Sequence, residues 1–519
     1  MKKIIRRLKT KSACGPDGID PRVLKVSINI IAGPLTKIIN RSLQSGVFPS
    51  QWKLSRVVPI YKKGKHDDCC NYRPISCLNT TAKVLETVVK VQISSYFEEH
   101  KLLAISQHGF RSKRSTTSAL IDMHTTWSEA VDKGKFVGVL SFDLSSAFNC
   151  IEVNTLCNKL HLYGFDKTSI NWIRSYLTDR MQYVQVGNDV SSIKLIIVGA
   201  PQGSVLSPTL FIILISDIDD WTDHAIITGF ADDNCATVIE DTLEETINKL
   251  QHDAKNVLSF MASNFLVANE AKTTFMLFSN RKRNSTGTVR SLIVGNANIT
   301  ESTEQKLLGV YFTSDLKWTK HVTSIIEKIN HRLYILRHLA CFLPKTALKI
   351  LADGLITSQI RYCLSLYGKL RLSESDPNQS DQSKLQVLHN HMVRTIFSKR
   401  IKDKVNMKEL REKNNIPSIN QMTCQSIAIE LRKAFHHDTL PRVLISLENT
   451  FDSKMTTRSQ SQSLLRPPRC RLTSTMASFP TQATRIWNKL PLNLRKMDQT
   501  AESTFKKSLT NWLKASNIP

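Results

Sequence analysis

The tetrapeptide Phe230-Ala231-Asp232-Asp233 lies between two apolar runs, 225–230 and 235–239. Two short runs with a polar link read as a β-hairpin with the acidic pair at its tip. Adjacent carboxylates repel each other, a cost that is tolerated where something positive sits between them. Alone, the pair also suits a solvated turn, since Asp and Asn favour turns. Both arms are apolar, however, so the hairpin is expected inside a sheet with only its tip exposed. The chain must therefore build a sheet-containing core. Because helical periodicity recurs around it, the expected fold class is α/β (α+β).

Residues 137–143 alternate, are rich in β-formers, and end in Asp143 before a helix expected to begin near Ser146. Asp143 in that place is either a helix N-cap or a functional carboxylate. Set beside the hairpin, it would complete a cluster of three. Three carboxylates suit two divalent ions about 4 Å apart that clamp the two oxygens of a phosphoryl transfer. Oxygen donors with open positions favour magnesium. A third element, 199–208 (GAPQGSVLSP), makes a tight loop feeding a helix. There Gly203 permits close backbone approach and Gln202 offers a donor and an acceptor. In a fourth, Asn71-Tyr72-Arg73-Pro74, Arg73 can fork onto a phosphate near Lys62, Lys63 and Lys65, or remain a surface charge.

The formal net charge is +27, which points to a polyanionic partner. The 11 cysteines form no CxxC pair and no zinc-ligand spacing. No apolar h-region follows the basic start, and the run 210–215 is too short to span a bilayer. The expectation is an intracellular protein with no membrane partner. Helices are expected over 23–43, 82–97, 207–218 and 243–260. Strands are expected over 57–61, 183–186, 193–198 and 274–278. A nearly all-helical stretch covers 321–398, a Ser/Thr/Gln/Arg-rich linker 454–471, and further helix 479–513.

The ordered motifs GPDGI, VVPIYKKG, NYRPIS, QHGFRSKRSTTSAL, FDLSSAF, GAPQGSVLSP, FADD, NEAKT and LLGVYFTSDLKW run through the chain. Their succession resembles the reverse transcriptases of jockey-like non-LTR retrotransposons, from about residue 11 to the C-terminus. The resemblance implies a right-hand polymerase: 1–135 fingers with part of the palm, 136–315 palm, 316–400 thumb, and 401–519 a helical, basic C-terminal region. It implies that Asp143 and Asp232 ligate two Mg2+ ions, with Mn2+ able to substitute, and that Asp233 stands beside them as a third catalytic and metal-site carboxylate. Arg73, Leu144, Phe148, Gln202 and Gly203 would bind the nucleotide, Phe148 as the gate against a ribose 2′-OH. Lys272 would act as general acid, and Leu308-Gly309-Val310 as primer grip. The implied partners are an RNA template, a DNA primer and dNTPs, in the nucleus for integration or in a cytoplasmic ribonucleoprotein.

Two positions depart from the family pattern: Asn149 stands where Asp is usual after the gate, and Cys14 where Pro is usual. No RNase H signature or zinc knuckle is visible, and the start of the chain leaves no room for an endonuclease domain, which reads as a 5′-truncated element. The competing readings are a catalytically idle or domesticated nucleic-acid-binding remnant and an RNA-directed RNA polymerase.

Overall fold

The computed structural model describes residues 1–144, 147–281, 290–372, 380–448, 464–497 and 501–516. The helix expected over 23–43 is two helices, Pro21–Val26 and Ile28–Ser45, parted at Ser27. The Ser27 hydroxyl bonds back to the Val23 carbonyl at 2.7 Å, the local competition by which serine interrupts a helix. Asp20 caps the first helix by accepting from the Arg22 backbone N–H, and Pro21 occupies its first turn.

Strand β1 (Leu54–Tyr61) pairs antiparallel with β2 (Tyr72–Cys77), and the Thr80–Glu99 helix follows. The second sheet is built around β3 (Phe136–Phe142). β4 (Arg180–Val186) then returns to the first sheet, parallel to β1, and carries the short antiparallel β5 (Asp189–Val190) and β6 (Lys194–Ile196). β7 (Ile226–Phe230), β8 (Asp233–Glu240) and β9 (Thr274–Phe278) complete the second sheet in the order β7-β8-β3-β9, with antiparallel neighbours throughout. Two further hairpins follow, β10 (Ser291–Val294) with β11 (Ala297–Thr300) and β12 (Glu304–Leu307) with β13 (Val310–Thr313).

The central sheet is buried on both faces. Val137 and Val139 of β3 face one core with Trp127, Met276 and Phe278. Leu140 and Phe142 face the other with Phe275 and Leu277. Burial on both sides explains why β3 is apolar almost throughout. The Leu243–Ser263 helix can approach because Gly138 has no Cβ, which would crowd Thr246 and Leu250. The Thr116–Asp132 helix covers the opposite face through Trp127, whose indole N–H donates to Thr237 Oγ1 at 3.1 Å.

Beyond β13 the described chain is helical, and the mixed helix-and-sheet class expected from the sequence holds. Leu333, Ile427, Ile486 and Leu509 of these helices join the core on the Trp127 side. The C-terminal region returns to the central sheet. The Arg442 backbone N–H donates to Asp122 Oδ1 at 3.2 Å, and its guanidinium reaches Thr228 Oγ1 of β7 at 3.1 Å. Of the stretch 454–471, residues 454–463 lie outside the described residues. Residues 464–471 have no helix or strand, but Leu465 is buried and the backbone N–H groups of Arg471 and Leu472 both donate to Asp132. Among the described residues no helix is long and apolar enough to cross a membrane.

Candidate active site

β3 and β8 pair through Phe142↔Asn234, so Asp143 continues one step further, beside Asp233. β7 closes on β8 at Phe230↔Asp233, which leaves Asp232 in the turn. Ala231 takes a left-handed φ of 60° there, uncommon for a residue with a Cβ. A neighbouring segment holds that turn. Gln107 runs parallel to Gly229 of β7, and its Oε1 accepts from the backbone N–H groups of Gly109 at 2.8 Å and Ala231 at 3.1 Å. The His108 backbone N–H donates to the Gly229 carbonyl at 2.8 Å, and Gly109 leaves no room for a Cβ against Ala231. The sequence contained this brace inside QHGFRS, but nothing local marked Gln107 as a support for a turn 124 residues away.

A cleft of about 580 Å³ collects Arg73, Asp143, Leu144, Gln202, Gly203, Asp232 and Lys272. Asp143 and Asp232 therefore face one space, while Asp233 does not line it. The Lys272 ammonium lies 2.7 Å from Asp143 Oδ2. The Asn269 N–H donates to the Asp143 carbonyl at 2.7 Å, fixing the chain just past β3. The carboxyl of Asp233 is pushed up to about 6, first by the protein packed around it, then by the carboxylates of Asp232 and Asp143, with Lys272 opposing.

The other wall of the cleft is the 199–208 loop. The Gln202 carbonyl accepts from the Ser76 N–H at 2.7 Å, tying the loop to the end of β2, and its amide donates to Asn149 Oδ1 at 3.1 Å. Asn149, read from the sequence only as a departure, thus orients Gln202. Gly203 has φ 112° and lies so close to the Ser76 carbonyl that a side chain would collide. From behind, the buried Glu86 accepts from the Val205 N–H at 2.6 Å. Burial raises the Glu86 carboxyl, against the pull of the buried Arg180 guanidinium and the Val205 and Leu206 N–H groups. Glu86 had no sequence signal beyond being a charged residue on an otherwise apolar helix face.

Residues 145 and 146 lie outside the described residues, as does the side chain of Phe148. Where a helix was expected from about Ser146, Ala147–Cys150 is a single 3₁₀ turn, and an α-helix begins only at Val153. Leu308 and Gly309 turn between β12 and β13 with positive φ, and the Tyr362 hydroxyl donates to the Leu308 carbonyl at 2.6 Å.

The oxygens of Asp143, Asp232 and Asp233 do not all lie within 4.8 Å of one another. Among the described residues the group that meets this limit is Asp223, His252 and Asp253. There Asp253 is occupied in accepting the N–H groups of Asp223, His224 and Ala225, which makes it a turn staple. That wider spread of Asp143, Asp232 and Asp233 differs from a single closed ion cage.

Residues 60–312 match the family described as reverse transcriptase (RNA-dependent DNA polymerase). The chain is similar to the RNA-directed DNA polymerase from mobile element jockey of Drosophila melanogaster, at 26% identity over 71% of this chain and 41% of that protein. The jockey polymerase of Drosophila funebris is 26% identical over 76% and 43%, respectively. The probable RNA-directed DNA polymerase from transposon BS of Drosophila melanogaster is 24% identical over the same shares, 76% and 43%. The chain spans about two fifths of the length of these relatives.

Proposed function

We propose that this chain, which carries a reverse transcriptase domain over residues 60–312, is an RNA-directed DNA polymerase of a non-LTR retrotransposon. The observation that carries the reading is the convergence of Asp143, Asp232, Lys272, Arg73, Gln202 and Gly203 on one cleft. In this reading 136–315 is the palm, with the fingers before it, the thumb over 316–400, and the helical region 401–519 behind.

Asp143 and Asp232, with Asp233 adjacent, would hold two Mg2+ ions, which would supply charge neutralisation at the attacking and leaving oxygens. The protein's own part is positioning. A primer 3′-OH, giving up its proton to solvent, attacks the α-phosphorus of a dNTP, and pyrophosphate leaves. Arg73 forks onto the triphosphate. Gln202, oriented by Asn149, and Gly203, which leaves room at the loop, seat the nucleotide against the template. Lys272 neutralises Asp143 in the nucleotide-free protein and supplies the proton that the departing pyrophosphate needs. Phe148, in the turn after β3, excludes a ribose 2′-OH. The template is RNA, the primer DNA, and the proposed place of integration the nucleus.

The test is primer extension on poly(rA)/oligo(dT) with Mg2+ and dTTP, comparing the chain with Asp232→Ala. Extension that vanishes in the variant supports the reading. If neither protein extends the primer while both bind template, the chain is a non-catalytic nucleic-acid-binding protein.

A further inference from the structure

A second cleft, about 840 Å³, shares no residue with the catalytic one. It opens at the other end of β3: Lys133 on its rim precedes that strand, whereas Asp143 follows it, and seven strand residues span roughly 20 Å. Its floor is the start of the Phe479–Lys489 helix. Ser478 stands at the N-cap and is 2% exposed, yet among the described residues its hydroxyl caps nothing and has no hydrogen-bond partner, and it lines the cleft. The N–H groups of Phe479 and Thr481 precede the first intrahelical bond, at the positive end of the helix dipole. Arg466, Arg469, Arg471 and Lys133 surround this point, exposed and without an ion pair among the described residues. Asp132 and Glu129 also line the cleft; the Asp132 carboxylate is taken up by the backbone N–H groups of Arg471 and Leu472.

An unused buried hydroxyl, a free helix N-terminus and four unpaired cations around one cavity are the complement of a phosphate. We propose that this cleft binds a phosphate of a nucleic-acid backbone, a second anchorage remote from the catalytic carboxylates. Four cations suit a polyanion that crosses the rim and leaves one phosphate on Ser478. The contact involves neither base nor sugar, so single-stranded RNA and DNA of one sequence bind it alike. Only the identity of the polyanion rests on the polymerase reading.

The test measures binding of a labelled 25-nucleotide RNA, and of its DNA counterpart, to the full chain with Asp232→Ala, so that turnover plays no part. Two variants are compared in that background. Ser478→Asp puts a good N-cap and a negative charge where the phosphate would sit, so the helix is kept while the anion is repelled. Arg466→Gln/Arg469→Gln strips the rim. Each is expected to weaken both strands about fivefold or more and to flatten the dependence of log K on log salt by about one to two. The melting temperature of Ser478→Asp should not fall. Unchanged affinity and slope in both variants would overturn the proposal. So would loss of stabilisation by inorganic phosphate alone with RNA binding intact, which would assign the cleft to the free anion. A failed extension assay leaves this measurement unaffected, so the two readings fall separately.

Discussion

Gln107 supports Ala231: its side-chain oxygen accepts the Ala231 N–H at 3.1 Å inside the turn that presents Asp232. The same oxygen accepts from Gly109, so one amide satisfies two buried backbone donors. Gln107→Leu strands both, at a cost of about 1–3 kcal/mol. The larger effect is expected on rate. A displaced carboxylate should lower kcat on the order of 10²-fold while dNTP KM changes little. Steady-state extension kinetics check this, and a KM-only effect would contradict it.

Gly109 touches the same turn from the other side. A Cβ there collides with the Ala231 backbone, so Gly109→Ala should both destabilise the protein and reduce extension. Gly354 is the control. It is exposed in a helical turn with open space around it, and Gly354→Ala should be neutral or stabilise by about 0.5–1 kcal/mol. Thermal melts of the two variants should move in opposite directions.

Asp122 lies buried beneath the hairpin with Arg442 Nε 3.6 Å away. Burial pushes its carboxyl up to about 6 despite Arg442. A carboxyl raised on folding binds more protons folded than unfolded between its ordinary value and about 6, so its contribution to stability falls as pH rises through that window. Asp122→Asn removes this slope. The variant should gain on the parent steadily from pH 4 to 6.5 in paired melts. The neighbouring His108, whose imidazole burial holds below its ordinary value, slopes the opposite way. Arg442→Met leaves the Asp122 charge alone and should cost about 3–5 kcal/mol at pH 7.5. Adding Asp122→Asn should recover part of that loss.

Lys272 and Asp143 are both partly exposed, so their 2.7 Å ion pair contributes little to stability, about 1 kcal/mol or less. Lys272→Gln should hardly move the metal-free melting temperature. As proton donor to the leaving group, Lys272 should nonetheless be worth roughly 10²–10⁴ in kcat. A rate within threefold of the parent would remove it from the chemistry.

The carboxylates and the Gln202 loop were legible in the sequence because each sits in a contiguous motif whose local pattern names its strand or turn. Gln107, Glu86 and Arg442 were not. Each acts on a backbone or side-chain group more than 100 residues away, and none leaves a periodic trace in its own neighbourhood. The break at Ser27 was missed for a different reason. Apolar spacing continues through it, and only the hydroxyl's bond to Val23 shows that the helix stops. Asn149 reads as a lost acid along the chain but proves to be the partner that fixes Gln202.

The tie between Asp122 and Arg442 has a temporal side. The two residues are separated by 320 positions in the chain. At 5–20 residues per second, a ribosome needs roughly 15 s to a minute to make the second after the first. During that interval the nascent sheet carries Asp122 without its Arg442 partner, and an open face around Trp127. The β7–β8 hairpin therefore gains its Arg442 support only late in synthesis, once the C-terminal helices have emerged to close over it.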